Sequence, residues 1–186
     1  MNEVVNMNVR TSETHPLQIA KLDLNDCKVG LSLCPGKKQQ FPISGDPWDR
    51  SLAADLQFIS NSGFDIVVSL IEEHEFVELE VTKLQQGETK IYDMEWISAP
   101  IRDQGVPGPE TFTQLNLVLD SLNEGQSLFV HCMGGLGRAG IVVAWLLTHH
   151  GFTSIEAIQR VREIRPGAIE NNLQEDWVKM WSGKRL

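Results

Sequence analysis

The sequence lacks any apolar run close to the ~20 residues that a membrane-spanning helix needs. Its longest candidate, Ile141 to Leu147, is far too short. Positive charge is scarce. Sixteen Lys and Arg stand against 25 Asp and Glu, a formal net charge of −9. That balance argues against broad binding to nucleic acid or to an anionic membrane. It leaves room for a local anion site, because a few backbone N–H groups and one arginine can hold a phosphate inside an acidic protein. Cysteine is sparse too. Cys27, Cys34 and Cys132 are an odd number without metal-ligand spacing, and in a reducing compartment they are thiols. Met1 to Arg10 lacks the basic start and apolar core of a signal peptide, so a cytoplasmic protein is expected.

What is present describes a folded chain. Of 186 residues, 41% are hydrophobic and 22% charged, which excludes a disordered polymer and suits one domain. Residues 1–26 are polar and without a clear period, and read as an arm that wanders or lies along a sheet edge. Residues 27–186 read as the domain. Val29 to Leu33, Asp65 to Ile71, Ile91 to Ile97 and Ser127 to His131 read as strands. Arg50 to Asn61, Glu110 to Leu122, Ala139 to His149, Ser154 to Ile164 and Leu173 to Trp181 read as helices, with Ser154 as an N-cap. Lys37 to Pro47 reads as loop. Glu72 to Glu80 holds five glutamates in nine residues and reads as a solvated acidic face on a short helix, or as a docking surface for a basic partner. The alternation predicts an α/β fold, a central mostly parallel sheet flanked by helices on both faces.

The chemistry concentrates in LFVHCMGGLGRAGIVV, Leu128 to Val143. A buried strand ends at Cys132. Met133, Gly134, Gly135, Leu136 and Gly137 follow, then Arg138 and an apolar helix. Glycines at three of five positions let the backbone curl and point its N–H groups inward. The helix start adds positive potential, and the Arg138 guanidinium can grip two oxygens of an oxyanion. The same field favours the Cys132 thiolate over the thiol, and a thiolate facing a bound phosphate is a nucleophile aimed at phosphorus. His131, next to the nucleophile, is expected to hydrogen-bond near the thiolate or to fix the loop. The five tryptophans are expected in the core, and Cys27 and Cys34 are candidates for a protective disulfide with Cys132.

HCMGGLGR resembles the HCxxGxxR signature of the cysteine-dependent protein phosphatases, with a cysteine and an arginine separated by five residues. The wider resemblance is to the small dual-specificity group, and most to the kinase-associated phosphatase (cyclin-dependent kinase inhibitor 3-like) branch. It extends through VGLSLCPGKK at 29–38, PIRDQGVP at 100–107 and RPGAI at 165–169, with Gln174 beyond. The resemblance implies a phosphoprotein phosphatase acting on phosphotyrosine, phosphoserine and phosphothreonine through a phosphocysteine, with no metal or cofactor. It also implies the cysteine-based phosphatase fold, and it suggests a cyclin-dependent kinase-like phosphoprotein as partner; a monomer is expected.

Expelling an alkoxide or phenoxide from phosphate needs a proton donor. Asp103, in IRDQGVPGP, lies 29 residues before Cys132 on a Gly- and Pro-rich loop. The resemblance makes it the general acid. Asn172 and Gln174 are candidates to orient water, with helix capping as the alternative role. Arg102 is a candidate for a second anion or for pairing with the acidic face. One departure stands out: most relatives place Ser or Thr after the arginine, and here the residue is Ala139, which cannot donate to the thiolate. Slow turnover with accumulation of phosphocysteine is therefore expected. Two other readings remain open: a phosphoprotein-binding module with very slow turnover, and a rhodanese- or arsenate-reductase-like thiol enzyme, in which Asp103 would be idle.

Overall fold

The computed structural model describes residues 8–24 and 26–186. The first seven residues of the expected arm lie outside that range. A five-stranded sheet runs in the order β1 (Ala20–Leu24), β2 (Cys27–Ser32), β7 (Leu128–His131), β5 (Ile66–Ser69), β6 (Glu95–Ser98). Only the β1–β2 hairpin is antiparallel, and β2–β7, β7–β5 and β5–β6 are parallel. β1 is contributed by residues read as arm, and it occupies the sheet edge.

Every residue of β5 and β7 is buried. Successive strand side chains point to opposite faces, so both faces of the sheet centre are covered. The helix α4 (Gly137–Thr148), buried all round, packs on β2 and β7 and carries α5 (Ser154–Ile164) and α6 (Asn172–Met180) outside it. Completing the fold are α1 (Leu52–Asn61), α2 (Glu73–Glu78) and α3 (Pro109–Asn123). No described helix is long and apolar enough to cross a membrane.

Three local expectations are corrected. The stretch 91–97 is not one strand. A 3₁₀ turn, Glu88–Tyr92, ends at Asp93 in the left-handed region (φ 56°), and β6 begins only at Glu95. The apolar Ile91 that prompted the strand reading is on the surface. Thr153, not Ser154, caps α5: its hydroxyl accepts from Glu156 N while the Glu156 carboxylate accepts from Thr153 N, a capping box. The loop 37–47 contains a short strand, β3 (Lys38–Gln39), paired with β4 (Trp48–Asp49).

One buried ion pair sets the wall in front of the sheet. Arg50 donates through Nε and Nη2 to both Asp55 oxygens at 2.8 Å, and Asp55 also accepts from Gly36 N at 2.8 Å. The start of α1 is thereby tied to the turn after β2 that carries Lys37.

Candidate active site

β7 delivers His131 and Cys132 at the carboxyl end of the sheet, where parallel strands leave a crevice. The chain then curls through residues 133–136 into α4. Gly135 N–H donates to Cys132 Sγ at 3.2 Å. Gly135 lies at φ +69°, and a Cβ there would sit 2.2 Å from the Ser32 carbonyl carbon, so only glycine fits. A side chain at Gly137 would meet the Glu170 carboxylate and the Gln174 amide, whereas Gly134 faces open space. Arg165 braces the curl from outside, donating to Gly135 O at 3.1 Å and Gly134 O at 3.0 Å. With carbonyls engaged there, loop N–H groups are left for an anion.

Arg138 is buried and bidentate with Glu75, at 2.6 and 2.9 Å, and it also donates to Ile101 O at 3.1 Å. Its outer nitrogen lies 3.1 Å from Asp103 Oδ1. Burial works to raise the Glu75 carboxyl, but bonds from Arg138 and from the Glu72 backbone outweigh it and hold Glu75 below the ordinary glutamate value. Burial likewise opposes the Arg138 charge, and Glu75, the Cys132 sulfur and Asp103 more than restore it. The acidic segment is thus not only a solvated face: its middle glutamate is 2% exposed and anchors the arginine.

His131 is fully buried, and burial pushes it down to about 4, with its bond to Cys132 O working the other way. It is therefore neutral near pH 7. Cys132 O, 3.3 Å away, can only accept, so Nδ1 carries the proton. Nε2 then accepts from Ser69 Oγ at 2.6 Å, which in turn accepts from Trp96 Nε1 at 2.8 Å. Of the two roles expected for His131, this geometry is that of fixing the loop: it holds the backbone of Cys132.

Asp103 is exposed on its loop, held by Asp103 N to Glu72 Oε2 at 3.4 Å, Asn171 Nδ2 to Gln104 O at 3.1 Å and Gln174 Nε2 to Gly105 O at 3.3 Å. Gln174 also accepts from Glu170 N at 2.8 Å and is fully buried. Its amide is occupied by the two loops rather than turned to solvent. Asn171 caps α6 by accepting from Gln174 N, and Asn172 is exposed. Arg102 is exposed and in none of the ion pairs among the described residues.

A cavity of about 530 Å³ opens onto Cys132, Met133, Gly134, Leu136, Arg138 and Asp103. Trp48, expected in the core, is half-buried and lines it. Cys27 starts β2, about 20 Å along the strand from the level of Cys132, too far for a disulfide. Cys34 is adjacent, its N–H donating to Met133 O at 3.3 Å. The sequence reading missed Glu75, Ser69, Trp96 and Arg165. A signal for Glu75 existed in the Glu72–Glu75 spacing, which forms a capping box on α2.

A family model described as the Swiss Army Knife protein DSP-PTPase phosphatase domain matches residues 49–178. Protein tyrosine phosphatase type IVA 3 of Homo sapiens is 29% identical over 153 residues, covering 80% of this chain and 82% of that protein. Among solved structures, Tk-PTP in its active form is 31% identical, with a TM-score of 0.62 and coverage of 85% of this chain and 92% of that one. A kinase associated phosphatase whose catalytic site cysteine is replaced by serine superposes with a TM-score of 0.76 at 23% identity, over 89% of this chain and 94% of that one, and shows the same fold.

Proposed function

This chain belongs to the DSP-PTPase phosphatase family, and from that premise we propose which residues carry out its phosphoprotein phosphatase chemistry. Cys132 attacks the phosphoryl group while Asp103 protonates the departing oxygen, leaving phosphocysteine. Asp103 then takes a proton from water, which attacks phosphorus and releases phosphate. Arg138 and the N–H groups of residues 133–138 stabilise the equatorial oxygens in both steps. Glu75, Arg165, His131 and Gln174 are positioning residues. The observation that carries this reading is the convergence of a thiol, a buried arginine and a carboxylate on one cavity, with Asp103 3.1 Å from Arg138 and Cys132 at the loop's base.

Ala139 is fully buried behind the sulfur's loop and offers no hydroxyl. That supports slow breakdown of phosphocysteine. A cyclin-dependent kinase-like phosphoprotein is the partner proposed from the resemblance. A monomer, a cytoplasmic location and a phosphatase domain at 27–186 behind an arm of 1–26 go with it.

The test is pre-steady-state hydrolysis of p-nitrophenyl phosphate. The chain is expected to give a burst near one equivalent followed by slow turnover, Cys132→Ser neither, and Ala139→Ser a faster steady state. Asp103→Asn is expected to cost about 10²- to 10⁴-fold on esters with poor leaving groups. A Cys132→Ser variant as active as the parent overturns the assignment. No hydrolysis, with phosphopeptide binding retained, identifies a binding module instead.

A further inference from the structure

The cations around the catalytic cavity are not equally compensated. Arg138 has Glu75 and Asp103, and Arg50 has Asp55. Arg165 donates to two loop carbonyls. Like Arg165, Lys37 and Arg10 have no carboxylate partner among the described residues, but they also keep donors that no described acceptor takes up. Lys37 is only 5% exposed, lines the same cavity as Cys132, and takes part in no ion pair among the described residues. Its ammonium has one long contact, 3.5 Å to Met133 O, and lies 5.5 Å from the Trp48 ring centre. The charges around it are Arg10 and Arg50, with the thiols of Cys34 and Cys132, and burial pulls its protonation equilibrium below the ordinary lysine value.

Arg10 lies over Trp48, its guanidinium carbon 3.8 Å from the ring centre, and lines the same cavity. One terminal nitrogen donates to Ser44 O and Asp46 O, while its Nε is buried without an acceptor and no carboxylate pairs with it among the described residues. Two cations without a carboxylate partner among the described residues share one wall, and the buried one, Lys37, carries a desolvation cost that a ligand's negative charge would offset. The Cys132 sulfur is already served by Gly135 N–H at 3.2 Å. The opposite end of the loop is closed by a carboxylate, since Glu170 abuts Gly137. Lys37 thus stands at the Met133 end of the loop, while Glu170 stands at the Gly137 end beside Arg138.

We propose that Lys37 and Arg10 form a second anion subsite in the catalytic cavity, and that the substrate carries a second phosphate beside the scissile one. This rests on the phosphatase reading above. The chemistry recognised is a neighbouring phosphate monoester, which a doubly phosphorylated peptide or an inositol bisphosphate can present.

The experiment compares phosphate release from a peptide phosphorylated on two adjacent residues with that from its two singly phosphorylated forms. A parallel arm compares inositol bisphosphates with inositol monophosphates. A kcat/KM preference of tenfold or more for the doubly charged substrate is expected in one arm, and that arm identifies the source. Lys37→Met and Arg10→Met should each cut the ratio about tenfold, and Lys37→Arg should keep most of it. A parental ratio near one in both arms overturns the subsite. So does a Lys37→Met variant that slows both substrates by the same factor, which would assign Lys37 to the sulfur. Should Lys37→Met fail to fold, Arg10→Met on its half-exposed side chain decides. Failure of the underlying reading looks different: no phosphate is released from any substrate.

Discussion

At the scale of single residues the site depends on pairs, each holding a charge or a dipole where chemistry can use it. Arg138 is planar and buried, and its aim is set by the two Glu75 oxygens. Glu75→Ala leaves the guanidinium buried without its partner, and a loss of about 3–5 kcal/mol in unfolding free energy is expected in urea titrations, with phosphate affinity reduced. Full stability in that variant would mean that Arg138 finds another anchor. His131 makes a pH prediction. Its folded value of about 4 lies below the ordinary 6.5, so between these values the unfolded chain binds a proton that the folded chain refuses. Stability therefore falls as pH drops from 6.5 to 4, by up to roughly 3 kcal/mol from this group. His131→Asn is expected to flatten that part of the pH–stability curve, and an unchanged slope would show that other groups set it.

At the scale of elements, two loops and one helix start make the site, and each is locked by atoms from elsewhere. The curl 133–136 is held between Ser32 on β2, which excludes any side chain at Gly135, and Arg165 beyond α5. The glycines are thus unequal. Gly135→Ala is expected to lower the unfolding temperature by several degrees, while Gly134→Ala, facing open space, moves it by less than about 1 kcal/mol in stability terms. Equal effects in calorimetry would show that the curl tolerates adjustment. The loop bearing Asp103 is pinned through Gln104 O and Gly105 O by Asn171 and Gln174, so the start of α6 couples the Asp103 loop to the rest of the cavity. The sequence indicated both loops because glycine, proline and a buried strand end are local signals. It did not indicate the pins: Arg165 and Ser69 resemble any polar residue until the chain brings them together, and Gln174, singled out to orient water, holds Gly105 O instead.

At the scale of the whole molecule, an acidic protein of net charge −9 concentrates cations in one crevice at the carboxyl end of its parallel strands. An oxyanion that binds only the folded state should stabilise all of it. Vanadate at about 100 times its dissociation constant is expected to add about 2.7 kcal/mol, read as a rise of roughly 5–10 °C in Tm, and Arg138→Ala should abolish the rise. A rise that survives that substitution places the anion elsewhere. The fold class and the Cys132 loop were decided along the chain itself: buried β-branched runs alternating with amphipathic helices specify a layered α/β sheet, and Cys132, its glycines and Arg138 are near neighbours in sequence. Tertiary packing alone decided that a glutamate 63 residues upstream aims Arg138, that His131 stays neutral and grips the Cys132 carbonyl, and that Arg10 and Lys37 share a wall with the sulfur. Periodicity and local motifs report which residues are buried and where the backbone turns, whereas ion pairing and desolvation depend on distances that exist only after distant segments have met.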